Sequence, residues 1–354
     1  MISVTGVTRA AVVVVLLAAG AVRADTHAPW PTNWNNWNDS ALWVSVGNPG
    51  NTGELSGTVA SGTARICGAV DYAYNMGKFE VMAGQYTAFL NAVAKTDTHG
   101  LYNENMDTAV FAEGCNIKRT GSSGAYNYSV ASDYANRPVN FVSFWDSCRF
   151  ANWLQNGQLT GVQGAGSTEQ GTYALSGYNG SDGRTIQRSA NTKYAVASED
   201  EWYKAAFHKF DGTTDYYFDY PTSSYTAPGR DMADASGNNA NIYGTPFPID
   251  SGKYATVAGE FQNSASPYGT FDQGGNVGEW NEAIPYQDSS DACRGMRGGS
   301  FYGGGSDMIA AQRDIYADPR FEGPSVGFRI VEVPEPATLS LLALGGLLAL
   351  RRRR

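Results

Sequence analysis

Three short motifs near the C-terminal end decide the fold: Gly275-Asn276-Val277-Gly278-Glu279-Trp280, Arg297-Gly298-Gly299-Ser300-Phe301 and Gly327-Phe328-Arg329-Ile330-Val331. Each motif is too short to be informative alone. Glycines of this kind suit tight turns and close backbone approach, and a buried arginine can bind a carboxylate through two hydrogen bonds. The order and the spacing of the three motifs carry the information.

The composition around these motifs is that of a loop-rich globular protein. The chain of 354 residues contains 42 glycines and 21 tyrosines, and long periodic helices are few. Such a composition is typical of short strands joined by ordered loops. Residues 65–332 keep one style of sequence throughout, which predicts a single domain with a large core.

In this order and spacing, the motifs resemble the formylglycine-generating enzyme family, also called the sulfatase-modifying-factor family. The strings Met76–Leu90 and Ser198–Trp202 also resemble its opening strand and helix and its Thr-Glu-x-Glu-Trp helix. The resemblance implies an α+β, C-type-lectin-like (formylglycine-generating-enzyme-like) fold, rich in loops, with short strands and few helices.

The chemistry of that family does not transfer with the motifs. Its oxidase needs two cysteines shortly after Arg-Gly-Gly-Ser, and these positions fall at Gly303 and Met308, beyond the last cysteine, Cys293. Copper(I) is selected by soft thiolate ligands. We therefore expect no formylglycine generation, no copper and no catalytic residue of the known kind. The three histidines are scattered, so no iron site is expected either.

The resemblance implies calcium at two places. The first is formed by Asn276, the Val277 carbonyl and Glu279, whose hard oxygens suit this ion. The second uses Asn241 and Ile242, with an acidic partner near Asp250 or Ser251. The alternative is that Asn276 and Glu279 satisfy loop amides without a metal.

Arg297, Gly298, Gly299 and Arg329 are predicted to be structural motif residues. A buried arginine in a loop-rich core binds carbonyls or a carboxylate, and we prefer this role to substrate binding.

Three helices are predicted from local signals. One begins near Gly84 and has apolar residues at helical spacing. Two others begin after the N-caps Ser143 and Ser198, each followed three residues later by an acidic residue. Strands are predicted over Tyr74–Met82 and Pro138–Val142.

The two ends resemble export signals. Residues 1–24 have a positive start, an apolar run and a small-residue cleavage site, as a signal peptide does. Residues 25–64 form a Trp- and Asn-rich extension that either stacks on sugars or covers the edge of the domain. We prefer the second, because aromatic side chains bury large areas.

Residues 333–354 resemble the PEP-CTERM sorting signal of Gram-negative bacteria. Pro334-Glu335-Pro336 precedes a short apolar stretch and four arginines. A 14-residue helix spans about 21 Å, less than a hydrocarbon core of about 30 Å, so the segment contacts the membrane only transiently. The resemblance implies an exosortase-type processing enzyme and a location in the cell envelope, on the surface or in the extracellular matrix. An ordinary tail anchor is the alternative.

The charge balance excludes nucleic acid as a partner. Six of the 25 basic residues lie in the two ends, so residues 25–336 carry 19 basic and all 34 acidic residues, a net charge of −15. Phosphates need basic partners. Of the four cysteines, Cys148 is expected to be a packed thiol, and one disulfide is expected among Cys67, Cys115 and Cys293.

Two functions remain open. The first is a calcium-stabilised binding or structural module that presents its loops to a glycan or to the extracellular matrix. The second is an enzyme of unknown reaction on the same fold. A closed, aromatic-filled pocket below the Arg297 loop would favour the first, whereas an open cleft with a perturbed carboxylate, or an exposed Cys293, would favour the second.

Overall fold

The computed structural model describes residues 36–58, 64–209, 216–233, 235–313 and 316–333. The predicted signal peptide and all of the sorting segment after Val333 lie outside these ranges. No helix in the described ranges has the length and apolar character needed to cross a membrane.

The described residues form three α-helices and many short strands, which confirms the α+β prediction. The helices are α1 (Ala83–Val93), α2 (Phe144–Gln155) and α3 (Glu199–Phe207). The strands are β1 (Trp43–Val46), β2 (Glu54–Ser56), β3 (Arg65–Cys67), β4 (Tyr74–Gly77), β5 (Ile117–Thr120), β6 (Asn127–Val130), β7 (Tyr194–Val196), β8 (Gly278–Trp280), β9 (Tyr286–Gln287), β10 (Ala292–Arg297), β11 (Tyr316–Ala317), β12 (Val326–Phe328) and β13 (Ile330–Glu332).

Side-chain caps fix where two of the helices begin. Ser143 accepts a hydrogen bond from the backbone of Asp146, whose carboxylate accepts one in return from the Ser143 backbone. Ser198 and Glu201 make the same reciprocal pair at the start of α3. Both predicted capping boxes are confirmed, because such caps depend only on residues three apart.

Two sheets organise the domain. One has the strand order β1-β4-β13-β7, and the other has the order β11-β10-β8-β12, with β9 added on β10. In the second sheet Glu279 of β8 lies opposite Arg297 of β10 and beside Gly327 of the parallel strand β12. The three motifs therefore meet in the second sheet, and Ile330 and Val331 of the third motif continue into β13 of the first sheet.

The described tryptophans of the extension pack on the domain, which is the alternative that we preferred over sugar stacking in the sequence analysis. Trp37 meets Phe150 of α2 edge to face at 5.5 Å, and Trp43 stacks on Tyr194 at 5.9 Å. These rings close the edge of the first sheet. Trp30 and Trp34 lie outside the described residues.

Three expectations from the sequence need correction. Pro138–Val142 is not a strand: Pro138 makes one bridge to Met82, and Phe141 has a left-handed backbone with φ 55°. The strand predicted to reach Met82 ends at Gly77. All four cysteines are free thiols, so the expected disulfide is not formed.

Candidate functional site

The Gly-Asn-Val-Gly-Glu-Trp motif places Glu279 at the centre of the core. Its carboxylate accepts hydrogen bonds from Arg329 Nη2 at 2.7 Å and Arg329 Nε at 3.0 Å, and Oε2 also accepts one from Trp202 Nε1 at 2.7 Å. Glu279 and Arg329 are both fully buried. Protein donors therefore occupy both oxygens of Glu279.

Asn276 is also occupied by protein donors. Its Oδ1 accepts hydrogen bonds from Asn241 Nδ2 at 3.2 Å and from the backbone of Thr256 at 2.9 Å. Its backbone is left-handed, with φ 54°, and Val277 beside it is buried. For this first predicted calcium set, the arrangement favours the alternative without a metal, because protein donors already occupy the side-chain oxygens. The Asn276 amide nitrogen, which is not a cation ligand, has no partner.

The second predicted set keeps one free ligand atom. Asn241 Oδ1 is buried and has no hydrogen-bond partner, whereas the Ile242 carbonyl accepts a hydrogen bond from Arg230 Nε at 2.6 Å. The predicted acidic partner, Asp250, is paired with Arg137 at 2.6 Å. A hard cation would suit the Asn241 oxygen, so calcium at this set stays a prediction.

The Arg-Gly-Gly-Ser motif is held by a buried carboxylate. Arg297 donates to Glu199 Oε1 from Nη2 at 2.8 Å and from Nε at 3.1 Å. Arg313 and Arg65 bind the same carboxylate, and these contacts lower the pKa of Glu199 against the opposing effect of burial. Gly298 and Gly299 have left-handed backbones, which glycine adopts without steric cost.

The loop after this motif carries no thiol at either cysteine position of the family. Asp307 lies beside Gly303, where an added Cβ atom would meet its Oδ2, and that carboxylate accepts a hydrogen bond from Gly304 N at 3.0 Å. Met308 is buried in a small apolar cluster with Tyr220 and Ile242. Both positions that would carry the family's cysteines are therefore built into the packing of the loop.

Four aromatic side chains lie beside this loop, and sequence analysis did not find them as a group. We call them the aromatic surface: Tyr243, Phe247, Tyr254 and Tyr302. Ring centroids lie 5.1 Å apart for Tyr243 and Phe247 and 5.9 Å apart for Phe247 and Tyr302. Tyr243 is 61% exposed and Tyr302 is 42% exposed.

One polar contact orients the exposed tyrosine of the loop. The Tyr302 hydroxyl donates to Glu113 Oε1 at 2.8 Å, and burial of the phenol, followed by this carboxylate, raises the Tyr302 pKa. The neighbouring Phe301 is fully buried and lies 4.7 Å from the Tyr302 ring. The aromatic surface is thus anchored to the core at one end and open to solvent at the other.

In the part of the chain that the structure describes, the thiols and histidines do not form a metal-binding cluster. Cys293 is partly exposed, but burial and the nearby Asp318, Asp291 and Asp288 raise its pKa. The side chain therefore stays in the protonated thiol form, which is less nucleophilic than a thiolate. His208 is buried against Tyr268. Within the described ranges, no three His, Cys, Asp or Glu side chains cluster as metal ligands do.

Two family models match this chain, and together they cover it from residue 50 to its end. The model of the sulfatase-modifying factor enzyme 1-like domain matches residues 50–333, and the PEP-CTERM protein-sorting motif matches residues 332–354. A search of curated proteins finds no match.

Two solved structures are similar to this chain. The crystal structure of CarF superposes with a TM-score of 0.52 at 20% identity, over 83% of this chain and 98% of that one. PvdO from Pseudomonas aeruginosa gives a TM-score of 0.48 at 18% identity, over 82% and 94% of the two chains. The first similarity indicates a shared architecture. With the family match over most of its length, this chain belongs to the family of the sulfatase-modifying factor enzyme 1-like domain and has a formylglycine-generating-enzyme-like fold.

Proposed function

We propose that the protein is an exported binding module without oxidase activity, and that it binds a glycan on the aromatic surface. The observation that carries this proposal is the group of mutually packed aromatic rings beside Gly303, where the family's oxidase has one of its cysteines. Exposed, rigidly packed tyrosines offer an apolar face to the C–H groups of a sugar and a hydroxyl to its polar groups.

The structure of the loop supports the absence of oxidase chemistry. A redox pair needs two thiols that can approach each other, and here Asp307 fills the space beside Gly303 while Met308 is packed in the interior. A thioether without a thiolate partner does not supply the soft ligand pair that copper(I) prefers.

The sorting motif supports a location outside the cytoplasm. We propose that an exosortase-type enzyme of a Gram-negative bacterium removes the segment after Pro336 and releases the domain to the cell envelope, cell surface or extracellular matrix. The matched motif at residues 332–354 begins where the family domain ends, at residue 333. Cleavage there would leave all of the described strands intact.

We also propose that calcium stabilises the fold by binding at the side chain of Asn241, whose amide nitrogen donates to Asn276. The support is the buried, unpaired Oδ1 of Asn241 together with the net charge of −15 on residues 25–336. A hard cation would satisfy this oxygen and reduce the self-repulsion of the acidic chain.

Glycan-array binding by residues 25–336 tests the proposed function. We expect binding to at least one surface polysaccharide, and we expect Tyr302→Ala and Tyr243→Ala to reduce it at least tenfold. Tyr216→Ala is the matched control, because Tyr216 is 66% exposed and lies outside the aromatic surface. Equal loss in all three variants, or no loss in the first two, would contradict the proposal.

A further inference from the structure

A second site lies away from the aromatic surface and shares no residue with it. It is an open cleft, here called the polar cleft, with a volume of about 410 Å³. Its lining consists of Tyr173, Ile186, Gln187, Arg188, Glu282, Ile284 and Arg294. Residues 173–188 follow α2, whereas Glu282 and Arg294 belong to the segments of β8 and β10, so the cleft is formed between distant parts of the chain.

The floor of the cleft contains a buried donor without an acceptor. Arg294 is 2% exposed, and its two Nη atoms donate to the carbonyls of Glu282, Gly183 and Ile186 at 2.7–3.0 Å. Its Nε has no partner. In the described part of the chain no carboxylate pairs with this guanidinium, which instead lies 4.5 Å from the Phe144 ring.

A second unpaired donor lies on the other face of strand β10 and does not line the cleft. Asn281 is fully buried, and its Oδ1 accepts a hydrogen bond from Ala283 N at 3.1 Å, but its Nδ2 has no partner. The amide lies close enough to Gly295, the neighbour of Arg294, that a Cβ atom there would be 2.7 Å from it. A buried donor left unpaired costs about 1–3 kcal/mol, so the orphan Nε of Arg294, which lines the cleft, indicates a missing acceptor there.

The wall of the cleft supplies a carboxylate acceptor. Glu282 has an 18% exposed side chain and is held by Arg188, whose Nη2 lies 3.0 Å from Oε2, and by the Tyr173 hydroxyl. Arg188 also binds Glu201 through two hydrogen bonds of 2.8 Å. The two arginines and two glutamates of this group sum to zero charge.

We propose that the polar cleft binds a neutral sugar through its hydroxyl groups. A hydroxyl can accept from Arg294 Nε and donate to Glu282 at the same time, and the balanced charge of the cleft gives no net attraction for an anion. The side chains of Ile186 and Ile284 offer an apolar wall for the ring carbons. The ligand class rests on the proposed glycan binding, but the residues are different.

Saturation-transfer NMR and titration with glucose, galactose and mannose, with glucuronate as the charged probe, test this site on the exported protein. We expect at least one neutral sugar to bind and glucuronate to bind more weakly. In Glu282→Gln the affinity should fall about five- to tenfold, because a hydrogen bond to a charged acceptor is replaced by a neutral one. Arg294→Lys, which removes Nε and keeps the charge, should lose binding.

Control variants separate the two sites. Tyr302→Ala should keep the monosaccharide affinity, whereas it should lose the array signal of the aromatic surface. Arg294→Lys can fail to fold, but Glu282→Gln keeps the shape of the side chain and changes one of its two acceptor oxygens into a donor amide. This variant tests the carboxylate acceptor without Arg294→Lys. The inference is overturned if no neutral sugar binds, if glucuronate binds more tightly, if Glu282→Gln binds as the native protein does, or if Tyr302→Ala removes the signal.

Discussion

Glu279 and Arg329, 50 residues apart in the chain, are both fully buried and are joined by two hydrogen bonds of 2.7 and 3.0 Å. The same guanidinium donates to the carbonyls of Gly77 and Phe271 at 2.8 Å each. This ion pair thus joins β8, which contains Glu279, to the link between β12 and β13, which contains Arg329. The same arginine also connects these segments to β4 and to the loop before β8. Its donors and acceptors satisfy one another, as a buried ion pair requires.

Breaking this pair should destabilise the fold strongly. Arg329→Met leaves the Glu279 carboxylate buried without its counter-ion, and we expect the free energy of unfolding to fall by about 3–5 kcal/mol. Urea unfolding measures the change. Asp318→Asn is the matched control, because Asp318 and Arg320 form an ion pair that is exposed; its cost should be about 1 kcal/mol or less. Similar losses in both variants would show that burial does not set the strength of the pair.

The exported protein should not oxidise a cysteine in a sulfatase-type peptide, even with copper supplied. The reason is that Asp307 and the packed Met308 occupy the places where thiolates would be needed. Mass spectrometry of the peptide measures the outcome. An aldehyde product above the no-enzyme control would refute this prediction and would restore the oxidase assignment.

Stability should fall as the pH rises from about 4.3 to 8, because of Glu322. Burial, then the nearby Asp146, raises the pKa of Glu322 to about 8, whereas the unfolded carboxyl has a pKa of about 4.3. Between these values the folded state holds a proton that the unfolded state lacks, so stability decreases by up to about 1.4 kcal/mol per pH unit. Above pH 8 this contribution is lost completely.

The variant Glu322→Gln isolates that effect. Its amide keeps the contact with Asn103 but does not titrate, so stability from urea unfolding should depend less on pH and should exceed that of the native protein above pH 8. Glu104→Gln, at an exposed position, should keep the native pH profile. A native-like slope in Glu322→Gln would assign the pH dependence to other groups.

How much the sequence predicted depended on how local the signal was. The capping boxes at Ser143 and Ser198 were found because each involves residues three apart. The strand predicted over Pro138–Val142 failed because Phe141 takes a left-handed backbone, which no propensity of that residue indicates. Tyr243 and Tyr302 are 59 positions apart, so nothing in the sequence alone could show that they share one surface.

The buried partners of the motifs were equally hidden. The family resemblance pointed to Glu279 and Arg329, but their mutual ion pair, with Trp202 of α3 as a third partner, depends on tertiary contacts between distant parts of the chain. Polar groups in a core are paired by tertiary structure, and a motif states only which residues are present. For the same reason, the orphan donors of Arg294 and Asn281 could not be predicted.

Calcium should raise the thermal midpoint of the exported protein. The buried Oδ1 of Asn241 lacks a partner, and a ligand that binds only the folded state stabilises it by about 2.7 kcal/mol at 100 times its dissociation constant. Thermal melts with EDTA and with millimolar calcium measure the shift, with magnesium as the control ion. Asn241→Ala should lose the response. Identical thermal midpoints in EDTA and in calcium would show that calcium does not stabilise this fold.

The segment after Pro336 should be removed in the native host. The family domain ends at residue 333 and the sorting motif continues to residue 354, so a cut near Pro334-Glu335-Pro336 leaves β13 in place. Intact-mass measurement on protein from the envelope or matrix should show a C-terminus near residue 336. Intact Arg354 on most correctly located molecules would instead indicate a simple tail anchor.

The four terminal arginines provide the sharper test of that processing. Their positive charge holds the end of the segment on the cytoplasmic side, so replacing all four with serine should leave the chain uncut and mislocalised. Replacing them with lysine keeps the charge and should preserve cleavage and location. If the serine variant is cut and located as the native chain is, the arginines take no part in sorting, because the apolar stretch and Pro-Glu-Pro would then suffice for recognition.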